Sequence, residues 1–131
     1  MNCEWETPSN LFKELDDEFH FTIDVCATKA NAKCRRFITK EQDALTRPWR
    51  GVCWMNPPYD RTIGRWIEKA EDEAYFNGAT VVCLIPSRTD TAWWHEYVTR
   101  REVRFIRGRL TFSGRGRARF PSAVVIFRGR S

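Results

Sequence analysis

Val52-Cys53-Trp54-Met55-Asn56-Pro57-Pro58-Tyr59 decides how this chain is read. The first four residues are a short apolar run of the kind that forms a buried strand. The prolines end it, because each fixes φ and lacks the N–H that a strand ladder requires. Beyond this stretch Ile63, Trp66, Ile67, Ala70 and Ala74 recur at helical spacing, so residues 61–77 are expected to form an amphipathic helix that stops at Asn77-Gly78. Thr80 to Ile85 follows, continuous, β-branched and uncharged, as a parallel strand covered on both faces would be. Strand, helix and doubly buried strand in succession are the unit of an α/β sheet.

Working outward, Thr7-Pro8 is expected to open a helix running to Phe19, with Leu11, Phe12, Leu15 and Phe19 as its apolar stripe. Phe21 to Val25 alternates as a strand, Ala27 to Lys33 is irregular or helical, Arg35 to Thr39 is a weak strand, and residues 40–50 are loop. After Pro86, Asp90 or Thr91 caps a helix carrying Trp93, Trp94, Tyr97 and Val98. Glu102 to Ile106 is a strand. Leu110 to Phe112 and Ala123 to Phe127 are expected to pair as a C-terminal β-hairpin around a loop at Gly114 to Arg119. The prediction is a compact single α/β domain with a mostly parallel sheet. In such sheets ligands bind beyond the carboxyl ends of the strands, where Asp24, Asn56 and Pro86-Ser87-Arg88 are expected to lie.

A chain of 131 residues suits one domain and buries roughly two-thirds of its unfolded surface. The net charge is +5, unevenly spread. Between Arg100 and Arg119 there are eight arginines against one acid, Glu102, which predicts an edge facing a polyanion. Arginine suits bidentate contacts to phosphate or guanine. The five cysteines form no CxxC pair and predict reduced, buried thiols in a cytosolic protein. His20 and His95 are isolated and give no metal-ligand spacing. No signal peptide is visible, and the longest apolar run, Ala79 to Ile85, is too short to span a bilayer. A cytoplasmic protein without metal or membrane partners is expected.

Asn-Pro-Pro-Tyr at a strand end also has chemistry, beside its plain reading as a turn. An amino group on a planar, conjugated system has a delocalised lone pair and is a poor nucleophile. The Asn56 side-chain oxygen and the Pro57 carbonyl can accept its two N–H bonds and return electron density to nitrogen. Pro57 and Pro58 stiffen the turn and remove competing donors. Tyr59 offers a face on which a flipped base can stack. The combination suggests methyl transfer from S-adenosylmethionine to an exocyclic or amide nitrogen.

The chain resembles the phage-type DNA N-6-adenine methyltransferases. The matching stretches are Trp5 to Pro8, Asp24 to Ala27 with Asn31 to Cys34, Trp54 to Tyr59, Leu84 to Asp90, Trp93 to His95 and Phe120 to Ala123. The resemblance implies a Rossmann-like methyltransferase fold over residues 1–131 with no separate target-recognition domain. It implies that S-adenosylmethionine is held by Thr7, Pro8, Asp24, Cys26, Ala27, Asp43 and Asn56. Thr7-Pro8 would take the methionine end unless Thr7 is simply a helix cap; Asp24 would take the ammonium group or order water around it unless it is simply a solvated strand-end residue, and Asp43 would take the adenine amino group. The Gly-rich turn usual in such enzymes is missing, since residues 1–50 contain no glycine. Asn56, Pro57, Pro58 and Tyr59 would carry the reaction on adenine N6. Arg88, Arg107, Arg109, Arg115, Arg117 and Arg119 would contact double-stranded DNA, with a homodimer as one way to complete the DNA surface. Of the six tryptophans, Trp5 and Trp54 are placed to border the site.

Two other readings stay open. Asn-Pro-Pro-Tyr also serves enzymes that methylate a protein glutamine amide or an RNA guanine, and the basic end argues only against the first. Alternatively the chain is a non-catalytic nucleic-acid-binding module.

Overall fold

The computed structural model describes residues 7–112 and 116–129. Six strands form one sheet in the order β2 (Phe37–Thr39), β1 (Ile23–Ala27), β3 (Val52–Met55), β4 (Thr80–Pro86), β8 (Ser122–Phe127), β5 (Glu102–Phe105). The first four are mutually parallel, and β8 alone runs against its neighbours. Two helices cover the sheet: α1 (Ser9–Phe19) and α2 (Ile63–Asn77).

Side-chain alternation explains the two faces. Along β4, Val81, Cys83 and Ile85 pack with Ile63, Trp66, Ile67, Ala70 and Ala74 of α2. Val82 and Leu84 face the other way, with Trp54 of β3, Leu15 of α1 and the partly buried Leu11, Phe12 and Phe19. Phe12 meets Trp54 edge-on at 5.3 Å and stacks on Phe21 at 5.4 Å, fixing α1 over β3. Gly78 ends α2 at φ 71, a left-handed conformation that glycine adopts without a Cβ penalty. A buried carboxylate ties α2 to the segment before β3: Glu73 accepts the main-chain N–H of Trp49 at 2.5 Å, Asn77 Nδ2 at 2.7 Å and Lys69 Nζ at 3.1 Å.

The structure differs from the sequence reading at several points. Residues 40–50 hold two 3-10 turns, Lys40–Gln42 and Ala44–Thr46, with Asp43 between them at φ 54. The helix after β4 is a short segment whose main part, Trp94–Val98, is π-helical. The expected hairpin between Leu110–Phe112 and Ala123–Phe127 does not form. β6 (Thr111–Phe112) instead pairs with β7 (Gly116–Arg117), and β8 inserts antiparallel between β4 and β5. Every residue of β8 is buried, so it needs a strand on each side and a layer on each face, which a two-residue partner cannot supply. The expectation of reduced thiols holds for Cys34, Cys53 and Cys83 but not for Cys26, which is disulfide-bonded. Sequence spacing carries no information about which cysteines the fold brings together. Among the described residues no helix is long and apolar enough to cross a membrane.

Candidate active site

Asp24 and Trp54 are register partners on β1 and β3, and Asn56 lies two residues beyond Trp54. Period-two alternation therefore puts Asp24 and Asn56 on the face that α1 covers. Thr7, just before α1, arrives at the same place. These three residues line one small cleft with Cys26, Asn31, Lys33 and Trp54. Thr7, Asp24 and Asn56 are all buried, with 1%, 2% and 5% of their surface exposed.

Their hydrogen bonds define the centre. Asn56 Nδ2 donates to Thr7 Oγ1 at 3.0 Å. The Tyr59 hydroxyl lies 2.7 Å from Asn56 Oδ1 and 2.9 Å from the Leu84 carbonyl of β4, so its single proton is shared between two acceptors. Burial pushes the Tyr59 phenol well above its usual range, so it stays a donor at any working pH. Thr7 makes no capping bond to α1, whose N-cap is the half-buried Pro8. The alternative of Thr7 as a simple helix cap therefore falls away.

Asp24 is the second residue of β1 rather than its last, because the strand continues to Ala27. Its Oδ1 accepts the N–H of Cys26 at 3.1 Å and its Oδ2 that of Lys33 at 3.0 Å. The carboxylate thus closes the 27–33 loop in a chain that has no glycine there. Each oxygen keeps a further lone pair for a ligand. Burial pushes this carboxyl up to about 6, against the two main-chain N–H groups and Lys33.

Cys26 also lines a second, larger cavity of about 550 Å³, with Ala27, Asp43, Ala44, Leu45 and Trp66 among its other walls. That volume is within the roughly 300–1,000 Å³ typical of small-molecule pockets. Among the described residues the Asp43 carboxylate makes no hydrogen bond. Six of the seven expected cofactor residues thus line one or other of two cavities that share Cys26 as a wall, and the seventh, Pro8, is the N-cap of α1 next to Thr7. Asn31, Lys33, Leu45 and Trp66 are additional walls that sequence reasoning did not select; the apolar stripe of α2 hid Trp66 as an ordinary core residue.

Pro57 and Pro58 are buried and Tyr59 is half-buried. Phe112 and Phe120 approach the Tyr59 ring edge-on at 6.3 and 5.7 Å, so the β6–β7 ribbon is seated against the Asn-Pro-Pro-Tyr turn. That packing was missed, since nothing local links residues 112 and 120 to residue 59. Arg107, Arg109, Arg117 and Arg119 flank or form this ribbon, are exposed and make no ion pair among the described residues. Arg88 is exposed on the loop after β4, where His95 Nε2 donates to the Thr89 carbonyl at 2.7 Å. Arg115 and Trp5 lie outside the described residues. The other described arginines of the basic stretch are ion-paired: Arg104 with Glu18 at 2.7 Å and Glu102 at 2.8 Å, Arg101 with Glu71, and the exposed Arg100 with Glu71 at 3.8 Å. Among the described residues no group of histidine, cysteine and acidic side chains is arranged to hold a metal ion.

Residues 2–124 match the DNA N-6-adenine-methyltransferase (Dam) family. The chain belongs to that family. It is 37% identical over 93 residues to the DNA N-6-adenine-methyltransferase of Haemophilus phage HP1, covering 69% of this chain and 53% of that protein. It is 30% identical over 95 residues to the DNA N-6-adenine-methyltransferase of Escherichia phage T1, covering 70% of this chain and 39% of that protein. A putative methyltransferase, YfdM, of Escherichia coli K12 is 34% identical over 64 residues, 43% of this chain and 70% of that protein. The chain thus spans about half or less of the two phage relatives. Family membership agrees with the resemblance carried by the Asn-Pro-Pro-Tyr turn and its neighbours.

Proposed function

We propose that this chain transfers a methyl group from S-adenosylmethionine to N6 of adenine in double-stranded DNA. The observation that carries the reading is the buried Asn56 carboxamide, held by Thr7 and Tyr59 just beyond β3, in a cleft that Asp24 and Cys26 also line. The strand order, with one reversed strand beside an edge strand, supports a Rossmann-like methyltransferase fold in a single domain. No separate target-recognition domain is invoked for these residues.

The larger cavity, about 550 Å³, has the volume for a cofactor of this size, whereas the cleft at Thr7, Asp24 and Asn56, about 10 Å³, has room only for a small polar group. Thr7 and Asp24 would take its carboxylate and ammonium groups, Cys26 and the small, buried Ala27 would admit it close to the β1 backbone, and Asp43 would accept its adenine amino group. Bound there, S-adenosylmethionine supplies an electrophilic methyl group. The chain's own residues prepare the amine. Asn56 Oδ1 and the Pro57 carbonyl accept the two N6 hydrogens of a flipped adenine and turn its lone pair out of the ring plane. Their dipoles are fixed before reaction and stabilise the positive charge that develops on nitrogen. Positioning supplies much of the rate, and the methylated aminium loses its extra proton to water without a strong base. Stacking on Tyr59, worth roughly 1–3 kcal/mol, partly offsets the few kcal/mol of flipping. Arg88 and the ribbon arginines would hold the DNA backbone, a homodimer would extend that surface, and the protein would act in the cytoplasm of a bacterial host.

Incubation with tritiated S-adenosylmethionine and unmethylated double-stranded DNA, followed by nucleoside analysis, tests this. Label in N6-methyladenine, lost in Asn56→Ala, is expected. Cofactor binding without any labelled DNA would overturn the substrate, and no cofactor binding would overturn the enzyme.

A further inference from the structure

The cleft holds a connection that the cofactor and target roles do not by themselves require. A carboxamide has two ends of nearly equal shape, and only its hydrogen-bond partners distinguish them. At Asn56 the oxygen meets the Tyr59 hydroxyl at 2.7 Å, and the nitrogen donates to Thr7 Oγ1 at 3.0 Å. Tyr59 comes from the same turn, three residues away. Thr7 comes from 49 residues away and is 1% exposed. It makes no helix cap, so its hydroxyl is kept for Asn56.

A threonine hydroxyl has one proton and can accept as well as donate. Accepting from Asn56 Nδ2 leaves that proton for another acceptor, and Thr7 lines the same cleft as Asp24. We propose that Thr7 is a positioning residue for Asn56: an anionic group of the cofactor that takes the Thr7 proton commits Oγ1 to accept from Nδ2, which aims Oδ1 at the target amine. Occupation of the cofactor cleft then sets the amine acceptor in its productive orientation, an inference that rests on the methyltransferase reading. A threonine that only binds cofactor changes KM. A threonine that also orients Asn56 changes the rate when cofactor is saturating.

The experiment compares unsubstituted protein, Thr7→Val, Thr7→Ser and Thr7→Ala. Cofactor affinity is read by calorimetry, folding by thermal melting, and methyl transfer to DNA by single turnover at saturating cofactor. Thr7→Val is expected to lose about tenfold or more in the saturated rate, the effect of removing one hydrogen bond, with Thr7→Ser within about threefold of the unsubstituted protein. Should Thr7→Val fail to melt cooperatively, Thr7→Ala against Thr7→Ser gives the same contrast. A hydroxyl-free variant that reaches the full rate at saturation would overturn the inference, as would Thr7→Ser as slow as Thr7→Ala. Unsubstituted protein that binds cofactor yet methylates no DNA would overturn the underlying reading, and this inference with it.

Discussion

The Tyr59 hydroxyl lies between Asn56 Oδ1 and the Leu84 carbonyl, 2.7 and 2.9 Å away. One phenol therefore ties the Asn-Pro-Pro-Tyr turn to the neighbouring strand β4 and braces the carboxamide. Tyr59→Phe keeps the ring and removes that brace. It is expected to slow single-turnover methyl transfer about tenfold, the equivalent of one hydrogen bond of roughly 1–1.5 kcal/mol. Tyr59→Ala also removes the stacking face and should cost at least another factor of about ten. Equal rates for Tyr59→Phe and unsubstituted protein would show that the brace is dispensable.

If Asp24 holds the cofactor ammonium group as proposed, cofactor binding is expected to depend on pH. Its carboxyl titrates at about 6 in the folded protein because burial disfavours the charge. A cationic ammonium group needs the ionised form. Affinity for S-adenosylmethionine should therefore fall as pH drops through 6, by up to about tenfold per unit, and Asp24→Asn should flatten that profile while weakening binding at pH 7.5. Calorimetry from pH 5 to 8 is the check.

The same residue affects stability with the opposite sign. A folded-state value of about 6 against 3.8 for the ordinary carboxyl means that the folded chain binds the proton more tightly than the unfolded chain. Stability from this group is thus greatest below about pH 4 and is lost as pH rises toward 6, by up to about 3 kcal/mol. Without cofactor, the melting temperature of the unsubstituted protein minus that of Asp24→Asn should fall across this window. A flat difference would contradict it.

Glu73 holds the segment before β3 to α2. Burial works against its charge, but the hydrogen bonds from Trp49, Asn77 and Lys69 keep its carboxyl below the usual range. Glu73→Ala leaves the buried Trp49 N–H unsatisfied and is expected to cost about 2–4 kcal/mol in urea unfolding. The stability that Glu73 supplies is present above its ordinary value and lost as pH falls through the lowered one. Glu73→Gln should retain part of it.

The arginines divide into two groups with different readouts. Alanine at Arg107, Arg109, Arg117 or Arg119 is expected to leave the melting temperature unchanged and weaken DNA binding. The slope of log affinity against log salt should become shallower by roughly 0.9 for each phosphate no longer neutralised. Arg104→Ala breaks the tie of β5 to Glu18 of α1 and the pair with Glu102 within the strand; it should lower the melting temperature and leave the salt slope intact. Anisotropy titrations over a salt series separate the two.

Local sequence patterns were enough to read the parallel half of the sheet and to pick out the candidate residues Thr7, Asp24 and Asn56 that the fold brings into one cleft. Residues 52–55 and 80–85 form strands because an uninterrupted apolar run has few other places to go, and 63–77 form a helix because their apolar residues repeat every three to four. Asn-Pro-Pro-Tyr was legible because proline acts on its own backbone. Asp24, Asn56 and Thr7 were legible through the resemblance, and alternation along β1 and β3 explains why the first two share a face. Tertiary structure decided what depends on distant partners. The neighbours of β8 follow from burial on every side, which no local pattern encodes. Which of the described arginines of the basic stretch are ion-paired follows from where Glu18, Glu71 and Glu102 come to lie. Only the fold could join Thr7 to Asn56, or seat Phe112 and Phe120 on Tyr59, because those pairs are 49, 53 and 61 positions apart, where periodicity and turn chemistry say nothing.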